Sequence, residues 1–220
     1  MRPVPTAFVL VISTLALAAC SASSSPTPSA PPTTPAPAAT GAETPAPAPT
    51  ASEAAEGVQP GDRLPSFTVS GVEAGKEVSF DAATAEGVSV YCVTSVTCPT
   101  TKVYAERLRE IEGEYAPKGA RFVWVYSNRT ESDEDKAENL AERGLSGTLS
   151  YDHGAAIAKV LEAQHTPEMV VVRDGLVVYR GAIDDGKGSP KKAKNQTLAA
   201  AIGAALEGRA PDVSHVEPVG

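Results

Sequence analysis

The feature that most restricts the fold is a long segment that cannot build a hydrophobic core. Residues 21–57 begin "SASSSPTPSAPPTTPAPAAT" and contain only alanine, proline, serine, threonine, glycine and glutamate. Such a segment buries too little apolar surface to offset the entropy of ordering, and its Pro-Ala steps favour extended polyproline II structure. We therefore predict a disordered Pro/Ala-rich tether, with the folded part of the chain beginning near Val58.

The first nineteen residues predict export. Arg2 is followed by an apolar run over 7–19, which is shorter than the roughly 20 apolar residues of a membrane-spanning helix. The run ends in "LAAC", which resembles the lipobox of bacterial lipoproteins. The resemblance implies that residues 1–19 are a lipoprotein signal peptide, that Cys20 is lipidated, and that residues 20–57 tether the domain to a membrane. An ordinary signal peptide cleaved near Ala19 is the alternative.

Charge and export restrict the partners. The formal net charge of −8 argues against nucleic acid as a partner, because a polyanion would repel the chain. Export places the protein in an oxidising compartment, where paired cysteines form disulfides. We expect a location in the cell envelope, lipid-anchored on the periplasmic side. Ser21 after Cys20 resembles a signal for the outer membrane, and the choice between inner and outer membrane stays open.

Residues 58–220 predict a single α/β domain. Strand patterns occur at 66–69, 76–80, 87–93, 120–127 and 147–152, and helical patterns at 99–115, 132–143, 155–163 and 195–208. Alternating strands and helices indicate a largely parallel sheet covered on both faces. The stretch "EMVVVRDGLVVYRGAI" adds an antiparallel hairpin with its turn at Asp174-Gly175.

Three local patterns predict how the helices are placed. In the helix over 99–115, a stripe that includes Val103 and Leu108 is expected to face the core. Ser132 and Asp135 have the spacing of a capping box at the start of the next helix. Asn195 is expected to cap the last helix.

The stretch "TSVTCPTTK" places Cys98 between a predicted strand and a predicted helix. A cysteine at a helix N-terminus faces unpaired backbone N–H groups and the positive end of the helix dipole, and both favour the thiolate. Pro99 suits the first helical position because its missing N–H is not needed there. Lys102, one turn later, can add positive charge. We interpret Cys98 as a nucleophilic thiol, with a small residue that merely starts the helix as the alternative.

A second motif, "HTPEMVVV", lies far along the chain and completes a resemblance. Together, "TCPTTKVYAERLREI" and "TPEMVVV" resemble the thioredoxin fold, and residues 60–215 are similar to its redoxin branch, which groups with alkyl hydroperoxide reductase and thiol-specific antioxidant proteins. The resemblance implies a thioredoxin-like fold with a central mixed sheet and helices on both faces. It also implies a cis bond between Thr166 and Pro167 that faces Cys98 and pairs with bound peptides. His165, beside that bond, is an auxiliary candidate.

The chain departs from its relatives at the second cysteine. Thr101 stands where the Cys-x-x-Cys motif has its resolving thiol, so release of a mixed disulfide from Cys98 needs an external thiol. We predict that Cys92 is a core residue, able to pair with Cys98 only if the intervening loop folds back. In the peroxiredoxin pattern P-x-x-x-T-x-x-C, Ser95 suits the threonine position but Tyr91 replaces the proline. Thr166 falls roughly where those enzymes carry their arginine.

These features give one leading hypothesis and two alternatives. The leading one is a membrane-anchored thiol-disulfide oxidoreductase or thiol peroxidase without a cofactor, acting on exported proteins or small molecules that are thiols, disulfides or peroxides. The first alternative is a binding module that has the redoxin fold without turnover. The second is copper delivery by Cys92 and Cys98 with His153 or His165, although five residues between the cysteines make a weak ligand set and we predict no metal site.

Overall fold

The computed structural model describes residues 58–220 of the chain. The predicted signal peptide over 1–19, the lipidated Cys20 and the tether over 20–57 lie outside the described residues. Within the described part, no helix has the length and apolar character needed to cross a membrane.

An eight-stranded mixed sheet forms the centre of the domain. Its strands are β1 (Thr68–Glu73), β2 (Lys76–Asp81), β3 (Val88–Thr94), β4 (Ala120–Tyr126), β5 (Thr148–Tyr151), β6 (Glu168–Arg173), β7 (Leu176–Gly181) and β8 (His215–Val216). They are ordered β2-β1-β5-β4-β3-β6-β7-β8. The pairs β3–β4, β4–β5 and β7–β8 are parallel and the other four are antiparallel. This confirms the mixed sheet that the resemblance implied, but the sheet is not largely parallel as the alternation of strands and helices predicted.

Helices cover both faces of this sheet. They are α1 (Pro99–Tyr115), α2 (Asp133–Glu142), α3 (Ala156–Val160) and α4 (Thr197–Leu206), with short 3-10 turns at Ala116–Lys118 and Pro190–Lys192. One core forms against α1, α2 and α4 and includes Leu108, Leu140 and Ile202. The opposite core includes Leu64 and Leu161. Strand β3 lies between the two cores and is buried along its whole length, as its continuous apolar sequence predicts.

The caps of two helices differ in how well they follow their sequence signals. At α2 the capping box is present: the Ser132 hydroxyl accepts from the Asp135 backbone N–H, and the Asp135 side chain accepts from the Ser132 backbone N–H. At α4 the prediction was wrong, because Gln196 precedes the first helical residue and Asn195 does not cap the helix. The Asn195 side chain donates instead to Asp185 Oδ2 at 2.7 Å. This bond joins the two ends of the loop over 185–195, which precedes α4.

The buried stripe of α1 departs from the predicted one at Val103, whereas Leu108 and Ile111 are buried as expected. Val103 is 57% exposed, whereas Tyr104 beside it is buried. The spacing of Tyr104, Leu108 and Ile111 is that of one helical face, and a shift by one residue turns a side chain by about 100°. The Tyr104 hydroxyl donates to the buried Asp184 at 2.6 Å, so this position also fixes the loop after β7. As a result, Val103 faces outward little more than one turn from Cys98.

The hairpin between β6 and β7 turns at the predicted dipeptide. Asp174 has φ 51° and Gly175 has φ 78°, and positive φ at both central residues is typical of a tight hairpin turn. The Asp174 side chain accepts from the Gly87 backbone N–H at 2.8 Å, so the turn is also held against the start of β3.

Strand β8 was not predicted from the sequence. It is only two residues long and adds to the outer edge of β7 through bonds from Arg180 N to Ser214 O (3.0 Å) and from Ala182 N to Val216 O (2.9 Å). Gly181 allows this close approach, because a Cβ at that position would lie 1.7 Å from the Val216 carbonyl oxygen.

Candidate functional site

Cys98 occupies the N-cap of α1. The residue has extended backbone angles (φ −67°, ψ 116°), and its sulfur accepts from the Thr101 backbone N–H at 3.4 Å. Pro99 is the first helical residue, as predicted. The local sequence therefore folds so that the sulfur caps one of the N–H groups that a helix start leaves unpaired.

The Thr166–Pro167 bond lies opposite this sulfur. The bond is cis, as the resemblance implied. The Cys98 thiol donates to the Thr166 carbonyl oxygen, with a sulfur–oxygen distance of 2.9 Å. Pairing of β3 with β6 explains the meeting, because Val93 near the end of β3 is registered with Glu168 at the start of β6. The structure thus brings Cys98 together with Thr166 and Pro167 from a distant part of the chain.

Opposing effects act on the pKa of Cys98. Burial raises the pKa, while hydrogen bonds from the Thr101 and Thr166 side chains and from the Thr101 and Thr100 backbone amides lower it. The lowering effects prevail, so the pKa of Cys98 lies below the ordinary value for cysteine. The bond to the Thr166 carbonyl needs the sulfur's own proton and serves the thiol form, whereas the donors around the sulfur serve the thiolate.

Thr101 contributes to this site from the position of the missing second cysteine. The residue is completely buried, and its hydroxyl accepts from Thr94 Oγ1 at 3.2 Å. Because that bond uses the oxygen as acceptor, the Thr101 hydroxyl hydrogen is free to point at the Cys98 sulfur. Thr101 therefore supports the thiolate where a Cys-x-x-Cys motif would carry a resolving thiol.

Cys92 has a different environment, in the middle of the sheet. It is 1% exposed, and its register partners are Trp124 on β4 and Met169 on β6. Desolvation raises its pKa strongly, and the positive charge of Arg143 offsets this only in part. Both Cys92 and Cys98 are free thiols. The predicted core position of Cys92 is confirmed.

A match to a protein-family model now identifies the chain. The model for redoxin matches residues 59–198, which is more than half of the chain. The chain belongs to the redoxin family. No curated protein sequence matches this redoxin.

Three solved structures are similar to the redoxin over most of their own length. An uncharacterized conserved protein from Geobacillus kaustophilus is 28% identical with a TM-score of 0.62, covering 72% of the redoxin and 88% of that chain. A hypothetical protein from Sinorhizobium meliloti is 25% identical with a TM-score of 0.60, covering 72% and 92%. A putative protein disulfide isomerase from Bacteroides thetaiotaomicron, 19% identical with a TM-score of 0.52 over 68% and 91%, shares the fold.

Two predicted auxiliary residues of the redoxin, Lys102 and His165, form no side-chain bond to the sulfur. Lys102 is exposed, and its backbone N–H donates to the Cys98 carbonyl at 3.2 Å as part of the helix. His165 is half-buried, and its backbone N–H donates to Glu168 Oε2 at 3.2 Å. Within residues 58–220, neither side chain forms a hydrogen bond with the Cys98 sulfur.

Ser95 serves the loop before Cys98 rather than the sulfur. Its hydroxyl donates to Glu131 Oε1 at 2.6 Å, and the same carboxylate oxygen accepts from the Thr97 backbone N–H at 3.3 Å. Arg143 donates to the Ser95 carbonyl at 3.3 Å from the other side. Tyr91, at the proline position of the peroxiredoxin pattern, is buried in the core, and desolvation raises its pKa to about 12.

A buried ion pair that holds the cis-proline segment was not predicted from the sequence. Glu168 directly follows Pro167 and accepts from the Gln164 and His165 backbone N–H groups at 2.8 and 3.2 Å. Its other oxygen accepts from Arg180 Nε at 3.0 Å, and both side chains are buried. The available signal was a glutamate that opens the apolar run "EMVVV", since buried acids are usually paired.

No metal centre forms among the described residues. Over 58–220, no group of three or more histidine, cysteine, aspartate or glutamate side chains is close enough to hold an ion. Of the two histidines considered for copper, His153 is exposed and lies 3.3 Å from Asp133 Oδ2, on α2.

Proposed function

We propose that this redoxin is a cell-envelope thiol oxidoreductase in which Cys98 is the single nucleophile. The observation that carries the proposal is the placement of the Cys98 sulfur at the start of α1, 2.9 Å from the Thr166 carbonyl beside the cis-proline. A thiol with a lowered pKa at a helix N-terminus suits thiol–disulfide exchange, because the thiolate is the attacking species.

The proposed reaction has two exchange steps. The Cys98 thiolate attacks one sulfur of a disulfide R–S–S–R′, forms the mixed disulfide Cys98–S–S–R and expels R′S⁻. An external thiolate R″S⁻ then attacks the sulfur of R, which forms R–S–S–R″ and returns Cys98 as the thiolate. The substrate disulfide is reduced and the external thiol is oxidised, so the cycle closes without a second protein cysteine.

The environment of Cys92 supports the single-cysteine cycle. Desolvation keeps this thiol protonated, and only a thiolate attacks a disulfide at a useful rate. Its position in the buried centre of β3 also denies it contact with a substrate.

Disulfide exchange is better supported than peroxide reduction. Peroxide reduction would form a Cys98 sulfenate and release an alcohol or water, and hydrogen bonds to the peroxide assist that step. Ser95 is the residue that the peroxiredoxin pattern would place there, and its hydroxyl is bound to Glu131. The donors around Cys98 belong instead to Thr101, Thr100 and Thr166.

The proposed location follows from the N-terminal sequence. A signal peptide over 1–19, lipidation of Cys20 and a tether over 20–57 would hold the domain at the surface of a membrane in the cell envelope. Membrane fractionation of the wild type and of Cys20→Ser tests this: the variant should leave the membrane fraction, and retention there would contradict the anchor.

The pH dependence of alkylation tests the proposed chemistry. In Cys92→Ala, the rate at which iodoacetamide modifies Cys98 should rise with pH, with a midpoint below the pKa of free cysteine, which is about 8.5. The midpoint is lowered because the thiolate is stabilised. Mass spectrometry of the peptide that contains Cys98 measures the rate, and Cys98→Ser corrects for modification elsewhere. A midpoint at or above the pKa of free cysteine would contradict the proposal and favour the binding module.

A further inference from the structure

The last described residues lie directly on the backbone that faces Cys98. We call residues 217–220, which follow β8, the strap. A Cβ built on Gly220 would lie 2.2 Å from the Thr166 carbonyl oxygen and 2.9 Å from the Thr166 nitrogen. Only a residue without a side chain fits this contact. The strap therefore covers the carbonyl that also accepts from the Cys98 thiol.

Strand β8 delivers the strap to this position. The bond from Ala182 N to Val216 O fixes the chain immediately before the strap. A Cβ on Gly188 would lie 3.4 Å from Val219 Cγ1, so the strap also passes the loop after β7. Among the described residues, no hydrogen bond joins residues 217–220 to the rest of the domain. The strap is thus held at one end by a strand and rests on Thr166 by van der Waals contact.

This contact closes the edge that a polypeptide substrate would use. An extended peptide binds a sheet-like edge through backbone N–H and C=O groups, and the pairing requires both groups to be accessible. At Thr166 both the nitrogen and the oxygen lie under Gly220. A small molecule needs only a narrow path to the sulfur, and Cys98 as a residue is 7% exposed.

We infer that the strap determines the substrate class of the proposed oxidoreductase. With the strap on Thr166, Cys98 exchanges with small thiols and small disulfides, and polypeptides are excluded until the strap moves away. The inference rests on the proposed function, since it concerns access to the same sulfur. The exchange steps are those described above, with R and R″ as small molecules.

Gly220→Ala is the direct test, because the added methyl group forces the strap off Thr166. The matched control is Gly113→Ala in α1, where a Cβ meets nothing within 4 Å. Two probes report on Cys98: glutathione disulfide as the small probe, and a disulfide-linked peptide of about twelve residues as the large one. We expect Gly220→Ala to raise the rate with the peptide about tenfold and to change the rate with glutathione disulfide no more than about twofold. Gly113→Ala should behave as the wild type.

A variant that lacks residues 217–220 keeps the test decisive if Gly220→Ala only adjusts its backbone. Circular dichroism and thermal unfolding check that each variant is folded. Suppose that both variants keep the wild-type ratio of the two rates and that glutathione disulfide still reacts. This result would overturn the role of the strap and leave the proposed oxidoreductase function intact. If glutathione disulfide fails to react with Cys98 in the wild type and in every variant, the proposed oxidoreductase function fails and the inference falls with it.

Discussion

Cys92 and Cys98 are separated by five residues, yet the protein gives them opposite chemical properties. Cys92 lies inside β3, which is buried along its whole length, and this burial raises the pKa of the thiol. Cys98 is only slightly more exposed, but its sulfur caps the Thr101 backbone N–H at the start of α1. The backbone amides of Thr100 and Thr101 and the side chains of Thr101 and Thr166 lower its pKa. Burial alone does not decide the state of a thiol. The donors that replace water decide it.

The difference originates in the transition from strand to helix. Inside a sheet, each backbone N–H is committed to a neighbouring strand, so a cysteine there meets no free donor. At the first turn of a helix the N–H groups have no intrahelical partner, and a side chain at the N-cap receives them. The loop over 95–97, held by Glu131 and Arg143, separates these two environments.

The largest expected difference between the two cysteines is in turnover. Cys98→Ser should lower disulfide reduction at least about a hundredfold, because a hydroxyl at this position is not ionised and cannot form the mixed disulfide. Cys92→Ala should keep the rate within about twofold and lower the free energy of unfolding by about 1 kcal/mol through the lost core contact. Steady-state reduction of a small disulfide with an excess of thiol measures the first effect, and urea unfolding the second. Equal losses of turnover in both variants would mean that Cys92 takes part in the cycle.

An intermediate effect is expected at Thr101, which contributes to the difference in pKa between Cys98 and Cys92. Thr101→Val removes the hydroxyl but keeps the shape and the backbone N–H, so the pKa of Cys98 should rise toward its ordinary value. The rate–pH curve then moves to higher pH, and alkylation at pH 7 should slow about two- to fivefold. Iodoacetamide kinetics from pH 5 to 10 measure the shift.

The control for this variant is Thr100→Val, because Thr100 reaches the sulfur through its backbone amide. Its titration should match that of the wild type. Equal shifts in both variants would indicate that the start of α1 has been disturbed. No shift in either variant would mean that the Thr101 hydroxyl does not lower the pKa of Cys98.

Local patterns in the sequence predicted much of the fold. The continuous apolar run of β3, the capping box at Ser132 and the Asp174-Gly175 turn each depend on neighbours within a few residues, and the structure confirms all three. Val103 shows the limit of such patterns. The pattern placed Val103 in the core, but Tyr104 beside it is buried instead, and its hydroxyl donates to the distant Asp184.

The site itself was predicted only in part. The meeting of Cys98 with Thr166 was implied by the resemblance to redoxins, since no local signal connects positions so far apart. The strap on Thr166 and the pair of Glu168 with Arg180 depend on contacts between residues that are distant in the sequence. Asn195 is not the cap because Gln196 occupies the N-cap position, and the Asn195 side-chain amide donates to Asp185, ten residues earlier.

The smallest expected effect concerns Ser95, and it separates the two reactions open to Cys98. Because the Ser95 hydroxyl is bound to Glu131, Ser95→Ala should leave the rates with glutathione disulfide and with hydrogen peroxide within about twofold of the wild type. The free energy of unfolding should fall by about 1–2 kcal/mol, since a part-buried carboxylate loses a donor. Thr97→Ala, which removes a longer bond of 3.4 Å to the same carboxylate, is the control and should cost less. If Ser95→Ala instead lowered the rate with peroxide tenfold and spared the rate with disulfide, Ser95 would assist peroxide reduction, and Cys98 would be a peroxidatic cysteine.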